Sequence, residues 1–246
     1  MSHSTISLGL GLGGGKSATS SGAPGGGGAF ANTSSVDFDG VDDYMSVAAN
    51  ASLNTAGDWS FSCWFYADAV TGFYALAAKR TGGSDWQFSI DQSKIQLYLP
   101  WGVFVNGSTT LSTGQWYHLA VTVEVGETDG IKIYLNGSQE SNTGNATSSS
   151  NAGNYGFTFA DNTRNRWWNG KMDEIAMFHS ALSASDISDI FNSGAPASLE
   201  SYSPVGWWRM GDGTEAESGT TIYDMSENSN NGTLTNGPTY SSDVPS

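Results

Sequence analysis

Carboxylates on loop-like stretches are the side chains of this chain best suited to chemistry. Asp42 and Asp43 stand side by side after Phe38-Asp39-Gly40-Val41, while Asp85, Asp161 and Asn162 lie in polar stretches between apolar runs. Oxygen donors on loops suit Ca²⁺, which takes about six to eight of them, so these five are candidate calcium ligands. Asp91 is a further donor, but Asp91-Gln92-Ser93 reads more simply as a hairpin turn. Another acidic pair, Asp173-Glu174, lies in an apolar run. Paired carboxyls hydrolyse glycosides when they flank a cleft about 5 to 10 Å apart. Strand neighbours point to opposite faces, so this pair is expected to be structural, with Asp173 accepting hydrogen bonds from a nearby loop.

No nucleophile finds a base. The single cysteine, Cys63, alternates with Trp59, Phe61 and Phe65 and reads as a small buried hydrophobe, without a disulfide partner in the chain. His118 lies in a strand-like run, His179 reads as a surface or strand-end residue, and His3 is near the start, so neither zinc nor a Cys-His pair is supported. Gly11-Leu12-Gly13-Gly14-Gly15-Lys16-Ser17 resembles a phosphate loop, but Leu10 stands where that motif needs glycine. The reading therefore expects no enzyme and no required cofactor, with Ca²⁺ the one candidate ion.

Tryptophans are candidates for a ligand platform or an interface: Trp101, Trp167, Trp168, Trp207 and Trp208. Adjacent residues of a regular strand cannot both point inward. One of Trp167/Trp168 and one of Trp207/Trp208 therefore needs a second surface, which a neighbouring subunit or a ligand would supply. Arg164 and Arg166 flank the first pair and could meet carboxylates across an interface.

The elements that must position these side chains are mostly strands. Residues 59–66, 73–78, 86–90, 94–99, 116–125 and 131–135 are rich in aromatic and β-branched side chains and are separated by turn residues such as Asp129-Gly130 and Asn136-Gly137. Short strands at such spacing predict an all-β sandwich. Residues 183–191 predict one short helix, with Ser183 or Ser185 as N-cap and Ile187, Ile190 and Phe191 on its apolar face. Residues 1–32 hold Gly13, Gly14, Gly15, Gly25, Gly26, Gly27 and Gly28 and read as an arm for assembly or anchoring, ordered by packing against neighbours. Residues 33–246 form the folded domain.

Charge excludes several partners. With 9 Lys+Arg against 24 Asp+Glu, the net charge of -15 repels nucleic acid and anionic membranes. Only 13% of residues are charged, so Ser, Thr, Asn and Gly make up much of the surface. Ile6 to Leu12 is too short and glycine-broken for a secretion signal or a membrane span.

Motif order carries a resemblance. Phe38-Asp39-Gly40-Val41-Asp42-Asp43-Tyr44-Met45, then Asp58-Trp59-Ser60-Phe61-Ser62-Cys63-Trp64-Phe65, then Gly114-Gln115-Trp116-Tyr117-His118-Leu119-Ala120 and Ile133-Tyr134-Leu135-Asn136-Gly137 follow one another. Trp168-Asn169-Gly170-Lys171-Met172-Asp173-Glu174-Ile175 and Ala181-Leu182-Ser183 close the series. In this order they resemble laminin-G-like domains of the concanavalin A-like jelly-roll family over residues 36–193. The resemblance implies an antiparallel jelly-roll β-sandwich and, in some relatives, a calcium site at its rim.

Val205-Gly206-Trp207-Trp208-Arg209-Met210 and Asn231-Gly232-Thr233-Leu234 look like the segment that normally precedes Phe-Asp-Gly, here permuted to residues 204–246. They are expected to supply strands to the same sandwich, the alternative being a neighbour's. A glycine-rich leader with this late tryptophan motif resembles phage structural proteins. That implies a surface component of a virion (capsid decoration, head fibre or tail-associated), a homo-oligomer such as a trimer contacting the major capsid protein, and adhesion to host glycans. The alternative is an extracellular, calcium-dependent carbohydrate-binding module.

Overall fold

The structure, a computed structural model, describes residues 30–79, 86–99, 103–147, 155–161, 165–213 and 219–246. The arm glycines Gly13 to Gly28, Asp85, Trp101, Asn162 and Arg164 lie outside the described residues.

Among the described residues two eight-stranded sheets face each other, and every pairing within them is antiparallel. Sheet A runs β10 (Ser138–Gly144), β9 (Ile131–Leu135), β8 (Trp116–Val123), β3 (Trp59–Ala67), β12 (Asn169–Phe178), β1 (Ser35–Asp39), β16 (Thr239–Ser241). The short β13 (Gly206–Trp208) pairs with the second half of β12, beyond the part that β1 occupies. Sheet B runs β14 (Thr221–Ile222), β15 (Gly232–Thr235), β2 (Tyr44–Val47), β11 (Phe157–Phe159), β4 (Phe73–Lys79), β5 (Gln87–Asp91), β6 (Lys94–Leu99), β7 (Val103–Asn106).

Inward faces meet in one aromatic core. Trp59, Phe61, Cys63 and Phe65 alternate along β3 into that core, where Trp59 stacks on Trp86 at 5.5 Å and Phe61 on Phe88 at 4.5 Å. Cys63 is fully buried, which pushes its thiol up in pKa and leaves it an inert apolar group.

β3 is buried on its other side as well, because sheet A carries a third layer. The helix α1 (Ala184–Phe191) begins at a capping box between Ser183 and Asp186, so Ser183 is the N-cap. Its Ile187 and Ile190 pack with Phe178, Leu182, Leu199 and Trp207 into a second cluster. Beside that layer Trp64 stacks on Phe191 at 5.7 Å.

The C-terminal strands all join this chain's own sheets: β13 on β12, β15 on β2 and β16 on β1. This placement corrects the inference drawn from paired tryptophans. Trp208 enters the main core and Trp207 the second cluster, at 0% and 3% exposure, so the second surface is intramolecular. Trp168 is likewise fully buried, and Trp167, half-buried, stacks on Tyr44 at 6.2 Å. Within the chain, Trp168, Trp207 and Trp208 are therefore core residues and not a ligand platform.

One loop is pinned by a single acid. Glu140 of β10 accepts from the amides and hydroxyls of both Ser108 and Thr109, and these bonds hold its carboxyl below the usual range despite burial. Glu140→Ala is expected to cost about 1.5–3 kcal/mol, the worth of bonding to a charged acceptor. A lowered folded-state pKa stabilises above the unfolded value and is lost as pH falls. Urea midpoints should thus differ most above pH 5 and converge toward pH 3; equal midpoints at pH 7 would refute this role.

Candidate functional site

β1 and β2 are consecutive but lie in opposite sheets, so Asp39-Gly40-Val41-Asp42-Asp43 crosses one end of the sandwich. Gly40 has φ +75, and a Cβ there would meet Asn169 Cβ at 2.7 Å, so the crossing needs glycine on both counts. Asp39 Oδ1 accepts from the Val41 amide at 2.8 Å, and Asp43 Oδ2 from the Asp39 amide at 3.1 Å. These bonds fold the loop back on itself and bring carboxylate oxygens of Asp39, Asp42 and Asp43 within 4.8 Å of one another.

Through Asp39 and Asp43 the loop forms one wall of an open cleft of about 340 Å³, otherwise lined by Asp37, Phe38, Asp68, Asn169, Asn236, Gly237 and Thr239. Four elements converge here: the end of β1, the residue after β3, the start of β12 and the β15–β16 turn. Asn236 Nδ2 ties that turn to the Asp42 carbonyl at 2.8 Å. Burial, then the charges of Asp39, Asp42 and Asp37, push the Asp43 carboxyl up, against the Asp39 amide that lowers it. Asp37 is pushed up by burial and by Asp68, while Lys171 opposes the shift.

A divalent cation would relieve this repulsion. Two ligands on one Ca²⁺ at about 2.4 Å each can be no more than about 4.8 Å apart, so the three carboxylates are close enough to share one ion. Asn169 and Asn236 line the same cleft and carry amide oxygens, so the site could supply oxygen donors of the kind calcium takes.

Of the candidate ligands, Asp42 and Asp43 therefore lie together, joined by Asp39. Asp161 does not join them: it is buried just after β11, where its carbonyl accepts from Thr158 Oγ1 at 2.9 Å. Arg166 lies over the Phe73 ring at 5.1 Å, and its carbonyl accepts from the Ala75 amide. Sequence reading missed Asp39, although it stands in the same motif, and missed Asp37, Asp68, Asn169 and Asn236, which only the fold brings near.

The other acidic pair, Asp173 and Glu174, is buried in β12. A bulge opposes Asp173 to Ala176 of β12 against Trp64 to Ser62 of β3, and Glu174 sits there at φ 44. The bulge interrupts the alternation expected of a regular strand, and the two carboxyls repel each other. Both are spoken for. Asp173 Oδ2 accepts from Asn32 Nδ2 at 2.9 Å, while Glu174 accepts from Arg209 Nε at 2.8 Å and Trp207 Nε1 at 2.6 Å. Burial pushes the Glu174 carboxyl up to about 7 against the pull of Arg209, and Asp173 well above its usual range.

Arg209 also covers the Phe30 ring at 4.2 Å and donates to the Ala31 carbonyl, and Asp212 accepts from Thr33 and Ser34. This network clamps residues 30–34 where they enter β1. The Ser62–His118 contact at 2.8 Å is buried too, and burial pushes His118 down to about 3, so it stays neutral.

The folded class is thus a jelly-roll sandwich with an acidic loop-end cleft. The chain belongs to the concanavalin A-like lectin/glucanases superfamily, whose laminin-G model matches residues 39–188. That match begins at Asp39, the first of the three clustered carboxylates.

Solved structures share the fold at low identity. A candidate carbohydrate-binding protein of Bacteroides ovatus superposes with TM-score 0.67 at 18% identity, covering 87% of this chain and 61% of its own. The heptameric SAP-like pentraxin of Limulus polyphemus gives 0.54 at 14%, covering 65% and 82%. Domain 4 of AbnA, an extracellular arabinanase of Geobacillus stearothermophilus solved with arabinotriose, gives 0.53 at 20%, covering 63% and 75%. This chain thus spans about 61% of the length of the Bacteroides protein. No curated protein matches the chain.

Proposed function

We propose that this chain is a non-enzymatic adhesion protein of a virus particle that binds glycan at the acidic loop-end cleft with the help of Ca²⁺. The observation that carries the reading is the convergence of Asp39, Asp42 and Asp43 beside Asn169 and Asn236 on a lectin-type sandwich. A bound calcium would order the loop and offer open positions to sugar hydroxyls. Asp39 and Asp43 would hold the ion from the folded loop, Asp42 from its exposed tip. The buried carboxyls of Asp173 and Glu174 are engaged by Asn32, Arg209 and Trp207, which supports binding over hydrolysis.

The virion setting is supported by the glycine-rich residues 1–32, the low charged fraction and the permuted tryptophan segment. In that setting the arm joins copies of the chain to each other and to a capsid protein. An extracellular carbohydrate-binding module is the second reading, favoured by the B. ovatus and arabinanase likenesses. Solution mass separates the two. The full chain is expected to form a defined oligomer that a version lacking residues 1–32 does not. Compact monomers of both would overturn the virion reading and favour the module.

Calorimetry tests the ion independently: Ca²⁺ should bind the full chain with about one equivalent, weakly as in extracellular modules at roughly 10⁻⁴–10⁻³ M. Asp43→Asn should lose that heat while retaining the fold; heat unchanged in the variant would remove the cleft from consideration.

A further inference from the structure

Far along sheet B from β2, the strands β5, β6 and β7 present a regular grid on their outer face. Register sets Gln87, Tyr98 and Phe104 in one row, Ser89, Gln96 and Asn106 in the next, and Asp91 against Lys94 in the third; Gln87 and Ser89 are buried, so the accessible part of these rows lies on β6 and β7. The alternate residues Phe88, Ile90, Ile95, Leu97 and Val105 point into the core, so strand alternation puts the grid on the opposite side. Phe104 is 58% exposed, and among the described residues only Val41 is a comparably exposed large hydrophobe. Its ring lies 5.0 Å from that of Tyr98 at 54°. Beside the rings, Gln96 Nε2 donates to Asn106 Oδ1 at 3.1 Å.

A lone exposed phenylalanine needs no explanation. An aromatic pair bordered by the side-chain amides of Gln96 and Asn106 has a more specific chemistry. A pyranose offers an apolar C–H face, which covers an aromatic ring, and hydroxyls at its rim, which exchange hydrogen bonds with amides that both donate and accept.

Charge narrows the ligand further. Asp91 faces Lys94 in the adjacent row, the aromatic and amide rows are neutral, and the net charge of -15 opposes polyanions. Strand addition by a peptide is disfavoured as well, because β10 approaches β7: Asn142 Nδ2 already donates to the Asn106 carbonyl at 2.9 Å. The same contact and the Glu140 pin on Ser108 and Thr109 hold the strand fixed, which spares a ligand the cost of ordering it.

We propose that Tyr98 and Phe104, flanked by Gln96 and Asn106, form a glycan subsite separate from the acidic cleft, which stacks a sugar ring of a neutral polysaccharide. The inference rests on the reading of the chain as a glycan-binding protein and adds to it a ligand class and a calcium-independent contact.

Native affinity electrophoresis of the full chain tests it, in gels containing xylan, laminarin, hydroxyethylcellulose or the acidic polymer alginate, each with CaCl₂ or EDTA. At least one neutral polymer should retard the wild type in EDTA. Phe104→Ala should weaken that retardation about tenfold, the scale of one aromatic contact, while Asp43→Asn leaves it intact. Phe104 is exposed, so the variant should keep the wild-type circular dichroism and melting temperature. Retardation lost in Asp43→Asn or EDTA but kept in Phe104→Ala overturns the subsite and leaves the calcium cleft standing. Retardation by alginate alone overturns the neutral-ligand assignment. No retardation in any gel overturns the subsite and the glycan reading together.

Discussion

Trp208→Ala is expected to cost about 3–5 kcal/mol of stability, the usual range for truncating a large buried aromatic. The indole is fully buried, its Nε1 donates to the Asn230 carbonyl at 2.8 Å, and its ring packs against Phe157 and Phe159 at 6.3 and 5.3 Å. Those partners belong to sheet B, whereas Trp208 ends a strand of sheet A, so the side chain ties the C-terminal segment to both halves of the sandwich. A cavity there should also loosen β15 and β16, the strands that complete sheets B and A. Urea denaturation of the variant should show one transition at a much lower midpoint. A loss below about 1 kcal/mol, the scale of an ordinary surface change, would mean that residues 204–246 are dispensable to the sandwich.

Arg209→Met should be nearly as costly, and its cost should depend on pH. Arg209 is the cation bonded to Glu174, beside Asp173 and Asp212, and removing one partner of a buried ion pair costs about 3–5 kcal/mol. Glu174 already has a folded-state value near 7, above its ordinary 4.5. A raised acid binds its proton more tightly when folded, so it contributes full stability below the unfolded value and loses it as pH rises through the folded one. Without Arg209 the folded value climbs further, and the loss extends to higher pH. The deficit relative to wild type should therefore be small at pH 5 and grow steadily to pH 8. A constant deficit across that range would show that Arg209 acts through packing on Phe30 and Trp207 and not through charge.

Local pattern made much of this fold readable from sequence. Alternation along Trp59 to Phe65 identified β3 and its inward face, because side-chain period and sheet pleat coincide there. The helix was readable from Ser183 and its apolar spacing. Asp42 and Asp43 were readable as an acidic loop, since they stand together in the chain.

What failed to show in sequence depended on tertiary contact. Asp37, Asp68, Asn169 and Asn236 meet only because β1, β3, β12 and the β15–β16 turn end at one rim of the sandwich. Asp173 and Glu174 broke the alternation rule because a bulge inserts a residue at φ 44, which no local preference of glutamate predicts. The tryptophan pairs did imply a second apolar surface. The sequence did not show that α1 and the turns after it supply that surface within the same chain.

The most direct test of the account is a glycan array probed with the labelled full chain in CaCl₂, in EDTA and as Asp43→Asn. The predicted result is a defined set of glycans bound in CaCl₂ and lost both on chelation and in the variant, beside any neutral glycans that the Tyr98–Phe104 subsite holds in all three conditions. Identical patterns in all three conditions would contradict a calcium-assisted site at the acidic cleft, and an empty array in calcium would contradict the glycan-binding reading itself.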